Sequence, residues 1–395
     1  MMATNTYLRE VTPILRLYNL VGGPRLVEAF EPIGNRYSVR IKWLSWSTVY
    51  SAAALVLQYS IVHTMASKAF QTFDRVEESR KLYALIFLFF LFGPFMVPCL
   101  MFLQHWNVCK TCVSWFYFEQ KIKLIITTQA PLDFGVHSWI KLAMIYTVLV
   151  GFIAVFFFPW IMGTWPDGVD FLIALGFFYN SMLYCICYAN CQAIRAISDR
   201  ILVELQASIK EVRQGNLDER RLLFFRDTWL NLIGVMKETG DSIYMPICFT
   251  MVIDFSVALF MGYAIIVSEI KPDGFVVLTS CSAIAWLGIV IICWGAQETE
   301  YKIKHDFGEA IGCLKTSHVS EKASFLVNMH YTLTGMLKNL PPLNFGGYIC
   351  IGKQLLVTFI YSYITNLVVM LQLQFVNSGI KDAKDLYDIR NILFS

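Results

Sequence analysis

The sequence predicts an all-α, polytopic membrane protein with seven transmembrane helices. Of its 395 residues, 56% are hydrophobic and only 15% are charged, whereas a soluble domain carries about 25% charged residues. The mean hydropathy is +0.54. Aromatic residues make up 15% of the chain, as expected for packed membrane helices with interfacial aromatic belts. The formal net charge of +3 and the absence of a basic run argue against nucleic-acid binding.

Seven apolar stretches are each long enough to cross about 30 Å of hydrocarbon. They cover residues 44–66, 82–103, 140–165, 171–190, 243–268, 275–296 and 348–376. The segment before them, residues 1–43, contains no apolar stretch of the kind that a cleaved signal peptide needs. We therefore expect the first span to remain in the protein as a signal anchor.

The distribution of Lys and Arg predicts the orientation of these spans. With a cytosolic N-terminus, the inside segments 1–43, 104–139, 191–242 and 297–347 together hold 22 basic residues, and the outside segments hold 8. We therefore predict a cytosolic N-terminus and an extracellular C-terminal tail at 377–395. This orientation is opposite to that of a G-protein-coupled receptor, and the last span lacks the Asn-Pro-x-x-Tyr motif of that superfamily.

Two long inside segments have helical periodicity. Apolar residues recur every three or four positions from Ile194 to Val212 and again from Leu222 to Met236, so segment 191–242 is predicted to extend the fourth and fifth helices into the cytosol. A third apolar stripe lies in segment 297–347, at Phe325, Leu326, Met329, Leu333, Met336 and Leu337. Two interpretations are open, because such stripes need partners. They pack within one chain, or they form a cytosolic anchor where several copies meet.

Polar residues are embedded in the last predicted span. With each residue advancing by about 100° around a helix, five of them fall within an arc of about 60°: Gln354, Thr358, Tyr361, Thr365 and Gln372. Polar groups that face lipid cost several kcal/mol unless they are paired. The stripe therefore faces either neighbouring helices, through hydrogen bonds, or a water-filled conduction path.

The segment from Thr365 to Leu373 resembles the C-terminal signature of insect gustatory receptors, which is Thr-Tyr, five apolar residues and Gln-Phe. Thr365, the five apolar residues and Gln372 match this signature. Asn366 stands in place of the usual Tyr, and Leu373 in place of the usual Phe. Residues 345–349, Phe-Gly-Gly-Tyr-Ile, are similar to the entry of that helix in the family.

The resemblance implies a tastant-gated, non-selective cation channel in the plasma membrane of a sensory neuron. In that family four subunits assemble, here as a homotetramer or with related receptor subunits. The last helix (348–376) lines the pore, the cytosolic helical anchor (297–347 with 191–242) holds the tetramer together, and no G protein is required. The implied pore and gate residues are Thr365, Gln372 and Leu373. Monovalent and divalent cations are the implied permeant ions.

The same resemblance implies a ligand pocket that opens to the outside, between the second to sixth helices of the transmembrane segments 44–190 (helices 1–4) and 243–296 (helices 5–6). Aromatic walls with a few polar groups are typical of small-molecule sites. The candidate residues are Tyr83, Phe157, Trp160, Tyr179, Asn180, Asp254 and Tyr263. Asp254 is the only acidic residue well inside a span. Three roles are open for such a carboxylate: it attracts a cationic ligand, lies in a hydrated vestibule, or accepts a hydrogen bond from a neighbouring helix.

No catalytic, cofactor-binding or metal-binding motif is found, so an enzyme is not expected. One alternative is a transporter or another non-channel membrane protein. In the main sugar receptors of the family, the start of the signature resembles Thr-Tyr-Glu. Leu367 stands at the position of that acidic residue. This favours a bitter or other plant compound as the ligand over the alternative of a sugar.

Overall fold

The computed structural model describes residues 6–20, 30–33, 36–39, 46–73, 96–123, 141, 145–149, 152, 168–214, 219–267, 272–315, 323–338, 344–345 and 349–377. Helices dominate these segments, as the sequence predicts. We label them α1 (Thr6–Leu20), α2 (Trp46–Phe73), α3 (His105–Lys123), α4 (Gly168–Arg213), α5 (Glu219–Val267), α6 (Pro272–Lys315), α7 (Ala323–Lys338) and α8 (Lys353–Asn377).

Two antiparallel hairpins interrupt the helical pattern, and the predicted all-α class did not include them. The first pairs β1 (Phe30–Ile33) with β2 (Arg36–Val39), with Phe30 opposite Val39. The second pairs β3 (Asn344–Phe345) with β4 (Ile349–Cys350). The second hairpin also corrects the start of the last predicted span. Because residues 349–350 pair as a strand, α8 begins at Lys353 rather than at residue 348.

Where the sequence predicts extensions of the fourth and fifth helices, the structure has two long continuous helices. α4 runs without a break from Gly168 to Arg213, and α5 runs from Glu219 to Val267. The residues of the two apolar stripes are buried, including Ile201, Leu205, Phe225 and Trp229. Near the turn between the helices, Arg221 forms ion pairs with Glu204 at 3.1 Å and Glu211 at 3.0 Å, which join α5 to α4.

The sequence did not predict α3, which lies in the segment assigned as an inside connection. Residues 96–103 are helical and continue through a turn at Gln104 into α3. The helix packs on α5, where Trp115 Nε1 donates to Thr239 Oγ1 at 3.1 Å and Thr111 Oγ1 donates to the carbonyl of Glu238 at 2.9 Å. α3 therefore belongs to the core of the protein.

The N-terminal helix also packs into the core. Tyr7, Val11 and Leu15 are buried. The Tyr7 ring stacks on Trp115 of α3 with centroids 4.5 Å apart, and its hydroxyl donates to Asn190 Oδ1 of α4. α1 therefore links α3 to α4.

The apolar stripe on α7 packs within its own chain. Leu326, Met329 and Leu333 are 3%, 4% and 6% exposed in the single protomer, and His330 Nδ1 lies 3.1 Å from the carbonyl oxygen of Ile311 on α6. The interpretation of this stripe as the surface where copies meet is therefore wrong for these three residues. Burial against α6 and the core already removes their apolar surface from water.

Small residues allow α4 and α6 to cross closely. A Cβ placed on Gly288 would lie 2.1 Å from the Tyr184 ring, and one on Gly295 would lie 2.8 Å from the Tyr188 ring. Beside this crossing Arg195 donates from Nε to Thr299 Oγ1 at 2.9 Å and pairs with Glu298 at 2.9 Å. Close backbone approach at glycine is a common means of packing membrane helices.

Among the described residues, three helical segments are long and apolar enough to cross a membrane. They are Glu219–Ile266 in α5, Leu278–Cys313 in α6 and Lys353–Leu373 in α8. The predicted spans 44–66 and 171–190 lie mainly in α2 and within α4. Spans 82–103 and 140–165 fall largely outside the described residues, so seven spans and their orientation stay predictions.

Candidate functional site

One side of α8 is packed and the opposite side carries the polar stripe. The packed residues include Phe359, Tyr363 and Leu371. All five stripe residues are exposed in the protomer: Gln354, Thr358, Tyr361, Thr365 and Gln372. At about 100° per residue, the centres of the two faces lie about 150–160° apart. Of the residues in the most apolar stretch of α8, only 6% are buried within the chain, whereas the corresponding share for α5 is 56%.

The predicted gate residues lie toward the C-terminal end of this exposed surface. Gln372 is exposed, and Leu373 is 59% exposed. Thr365 shares the face of Gln372 because seven residues correspond to about two helical turns. Leu371, immediately before them, is 5% exposed and belongs to the packed side. All three predicted gate residues are therefore exposed on α8: Thr365 and Gln372 share one face, and Leu373 lies about 100° around the helix from Gln372.

Aromatic contacts fix the packed side of α8 on α5 and α6. Phe359 packs against Phe255 of α5, with ring centroids 5.2 Å apart. One turn later, Tyr363 meets Trp286 of α6 edge to face at 5.3 Å. Edge-to-face pairs at this spacing add to the stabilisation from buried area alone. α8 is thus held from one side only within the protomer.

The start of α8 is held by a side chain of α6. Gln297 Oε1 accepts a hydrogen bond from the backbone N of Lys353 at 3.1 Å. A Cβ on Gly352 would lie 2.8 Å from the same oxygen, so glycine leaves the space that this contact needs. The first backbone N–H groups of a helix have no partner within it, and Gln297 supplies one of the missing acceptors.

Two of the predicted ligand residues, Asn180 of α4 and Asp254 of α5, are in contact and largely buried. Asp254 is 4% exposed and Asn180 is 7% exposed. Asn180 Nδ2 donates to Asp254 Oδ1 at 2.8 Å, and the Tyr184 hydroxyl donates to Asp254 Oδ2. Of the three roles that the sequence left open for Asp254, this geometry supports hydrogen bonding to a neighbouring helix. No pattern in the sequence identified Tyr184 as a partner of Asp254.

Two further polar atoms near this pair have no partner among the described residues. Asn180 Oδ1 and Thr250 Oγ1 are buried and make no hydrogen bond within that part of the chain, and Thr250 lies one turn before Asp254 on α5. Unpaired buried polar atoms are costly. This region of α4 and α5 therefore contains buried polar atoms whose hydrogen-bonding capacity the described residues leave unused.

The remaining predicted ligand residues divide into two groups. Tyr179 is fully buried and accepts a hydrogen bond from Gln58 Nε2 of α2 at 3.2 Å, whereas Tyr263 is only partly buried. Tyr83, Phe157 and Trp160 lie outside the described residues. Among the described side chains, no group of three or more His, Cys, Asp or Glu is arranged to hold a metal ion.

Comparison with known proteins identifies the family. The model of the 7tm chemosensory receptor family matches residues 12–377, which is most of the chain. The chain belongs to this family. It is therefore a membrane receptor of the chemosensory class and not an enzyme, as the sequence resemblance predicted.

Two curated relatives are similar along most of their length. Gustatory and odorant receptor 21a of Drosophila melanogaster is 24% identical over 364 residues, which span 85% of this chain and 73% of that protein. Gustatory and odorant receptor 24 of Anopheles gambiae is 22% identical over 345 residues, spanning 83% of this chain and 68% of the relative. Both names agree with the predicted chemoreceptor class.

Solved structures share the fold. The insect olfactory receptor OR5 from Machilis hrabei superposes with a TM-score of 0.62 at 10% sequence identity, covering 92% of this chain and 98% of the receptor chain. The same receptor in complex with eugenol gives a TM-score of 0.59 at 12% identity, with 93% and 99% coverage. At these identities the comparison establishes only that this chain shares the fold of the solved receptor.

Proposed function

We propose that this chemosensory receptor is a tastant-gated, non-selective cation channel that assembles as a homotetramer, with α8 of each subunit lining a central pore. The observation that carries this proposal is the exposed polar arc on α8, which lies opposite to the face packed on α5 and α6. An isolated polar arc facing lipid costs several kcal/mol. When four subunits assemble around a central axis, the polar stripes of their α8 helices face one another across a water-filled pore.

The proposed topology follows the basic-residue asymmetry. The N-terminus and residues 1–43 are cytosolic, segments 191–242 and 297–347 form the cytosolic anchor, and the tail 377–395 is extracellular. In this arrangement α5 and α8 rise toward the outside and α6 descends. The contacts fit these directions, because Phe255 and Gly262 of α5 meet Phe359 and Tyr363 of α8 in the same order.

We propose that the ligand is a small organic tastant, with a bitter or other plant compound favoured over a sugar. The buried polar contact between Asn180 of α4 and Asp254 of α5, with Tyr179 next to Asn180 in sequence and Tyr263 about two to three turns further along α5, supports a pocket of aromatic and amide groups in the outer half of the subunit. The family and the eugenol complex of a receptor with the same fold support a small-molecule ligand. Plasma-membrane localisation in a sensory neuron is part of this proposal.

In the proposed pore, four Gln372 side chains form a ring that offers amide oxygens to a partly hydrated cation. The described part of α8 contains no Asp or Glu, so discrimination among cations is expected to be weak. Leu373 supplies an apolar collar that excludes water in the closed state, and its replacement of the usual aromatic residue changes the width of the collar.

Whole-cell recording from cells that express this chain alone tests the proposal. Leu373→Ala should raise ligand-independent current, because a smaller side chain lowers the cost of wetting the pore. Gln372→Ala should change the ratio of K⁺ to Na⁺ permeability. Matched controls are Leu230→Ala, at an exposed position of α5, and Gln120→Ala, at an exposed position of α3. Both controls should behave like the parent.

The contrary result is equally specific. Resting current and permeability ratio both identical to the parent would mean that α8 does not line a pore. An epitope tag at the N-terminus that is accessible in intact cells, with one after Ser395 that is shielded, would reverse the proposed topology.

A further inference from the structure

One residue on the packed side of α8, Tyr363, is inserted between two neighbouring helices. Its ring meets Trp286 of α6 edge to face, with centroids 5.3 Å apart. Its hydroxyl oxygen reaches Gly262 of α5, where a Cβ would lie only 2.0 Å from it. The same virtual Cβ would lie 3.0 Å from Cζ of the Tyr363 ring. Tyr363 therefore occupies the space that any side chain at position 262 would need.

The fit between these residues depends on glycine. Gly262 is buried, and its neighbours Met261 and Ala264 are also buried in the core between α4, α5 and α6. Non-bonded heavy atoms pack at about 3.5–4.0 Å, so a methyl group at position 262 forces the tyrosine to move. The tyrosine makes room by a change of its side-chain torsions, which Trp286 against its ring restricts, or by a shift of the α8 backbone.

A displacement of Tyr363 that moves the backbone of α8 changes the orientation of the polar stripe. Tyr363 and Thr365 are two residues apart and thus lie about 160° apart around the helix. Because a helix is stiff over two or three turns, rotation at Tyr363 carries Thr365 and Gln372 with it. The contact between the Tyr363 hydroxyl and Gly262 of α5 therefore influences which side chains of α8 point toward a central axis.

The contact also lies on the helix that carries the polar residues of the proposed ligand region. Asp254 is two turns before Gly262 on α5 and is hydrogen-bonded to Asn180 and Tyr184 of α4. Tyr263 directly follows Gly262. A shift of α5 relative to α4 therefore reaches α8 through the place where the Tyr363 hydroxyl rests.

We propose that Tyr363 is a positioning residue of the gate, whose hydroxyl, seated on Gly262, sets the rotation of α8 and couples α5 to the exposed arc. This proposal rests on the proposed function, in which α8 lines the pore. Neither residue belongs to the segment 365–373 that resembles the family signature. The contact is defined by the packing of α5, α6 and α8.

A double-mutant cycle tests the coupling. The variants are Gly262→Ala, Tyr363→Phe and the two together, in a chain that also carries Thr365→Cys. The readouts are the ligand-independent current in symmetrical NaCl and the rate at which the charged reagent MTSET modifies the cysteine. Gly234→Ala is the matched control, because Gly234 lies on the same helix and a Cβ there meets nothing within 4 Å.

We expect Gly262→Ala to change both readouts, whereas Gly234→Ala leaves them at the parent values. Adding Tyr363→Phe to Gly262→Ala should return both readouts toward the parent, because it removes the atom at 2.0 Å and leaves the ring carbon at 3.0 Å as the nearest. The deviation from additivity should be at least about twofold, as found for residues in contact.

Additive effects, or equal effects of Gly262→Ala and Gly234→Ala, would overturn the proposal. If Gly262→Ala does not reach the surface, Tyr363→Phe still decides, since it keeps the ring and opens space at the glycine. A modification rate equal to that of the parent would then count against the coupling. The proposed channel fails separately, if the parent and Leu373→Ala carry no current while the modification rates still show non-additivity.

Discussion

Gln297 of α6 caps the first turn of α8, because its Oε1 accepts the backbone N–H of Lys353 at 3.1 Å. Gly352 precedes that turn, and its carbonyl accepts the first helical hydrogen bond from Leu356 N at 3.2 Å. The same α6 segment reaches α4 through Arg195, which is bonded to Glu298 and Thr299. The start of α8 is therefore fixed to the centre of the bundle.

Gln297→Ala is expected to loosen this turn. Loss of a side-chain cap typically costs about 0.5–2 kcal/mol, and here the unpaired N–H is at the base of α8. Hydrogen exchange measured by mass spectrometry should become faster in the first turn of α8 and remain unchanged in α7. Gln120→Ala, at an exposed position of α3, provides the matched control. Unchanged exchange in α8 after Gln297→Ala would show that the cap is dispensable.

Asp254→Asn should destabilise the receptor, because an amide nitrogen would face one of the two donors, Asn180 Nδ2 or the Tyr184 hydroxyl. An unpaired buried group costs about 1–3 kcal/mol. The exchange Asp254→Asn with Asn180→Asp restores one carboxylate and one amide, and should recover part of the lost melting temperature of the purified receptor. An Asp254→Asn receptor of unchanged melting temperature but altered ligand response would instead assign the carboxylate to ligand binding.

The two sides of α7 should respond differently to charge. Leu326→Asp places a charge among residues that are buried within the chain, which costs several kcal/mol when it is unpaired, so the protomer should fail to fold. Tyr331 is 71% exposed on the same helix. Tyr331→Asp should leave the protomer folded and weaken the proposed tetramer, as measured by mass photometry in detergent. Loss of folding in both variants, or in neither, would contradict this division.

Periodicity predicted the elements whose burial is regular along a helix. The isoleucines of α4 recur every three to four residues and are buried as expected, including Ile194, Ile197 and Ile201. The polar stripe on α8 was predicted for the same reason, since five polar residues share one face. A stripe indicates that a face is covered, but it carries no information about what covers it. For that reason the α7 stripe was open between two interpretations.

The contacts that organise the candidate site could not be read from sequence spacing. Gln297 and Lys353 are 56 positions apart, and Asn180 and Asp254 are 74 apart. Such pairs depend on how helices cross, which the periodicity of a single helix does not encode. α3 was missed because its apolar side chains alternate with Lys110, Lys121 and other polar residues, so the segment resembles a polar connection.

Tyr7 should be essential for folding although it lies near the start of the chain. Tyr7→Ala removes the stack on Trp115 and the hydroxyl bond to Asn190, and loss of a buried aromatic ring costs about 3–5 kcal/mol. Tyr7→Phe keeps the ring and should cost only about 1 kcal/mol. The comparison is made by fluorescence-detected size-exclusion chromatography during heating. Equal effects of the two substitutions would mean that the hydroxyl, and not the ring, holds α1 in place.

The stability of the receptor should fall as the pH drops below about 6.5, the ordinary pKa of histidine, because of His105. Burial lowers the pKa of His105, so the unfolded chain binds a proton more readily than the folded one, and acid favours unfolding. Protonation would make both ring nitrogens buried donors, and Nδ1 has no partner among the residues that the structure describes. Cys109 Sγ lies 3.7 Å from Nε2, but burial raises the pKa of this thiol to about 12, so no thiolate forms to compensate the charge.

The melting temperature of the parent should therefore be lower at pH 5.5 than at pH 7.5, and His105→Leu should reduce that difference. His63→Leu, at an exposed position of α2, should not. Equal pH dependence in all three proteins would mean that His105 stays neutral, or accessible to water, over this range.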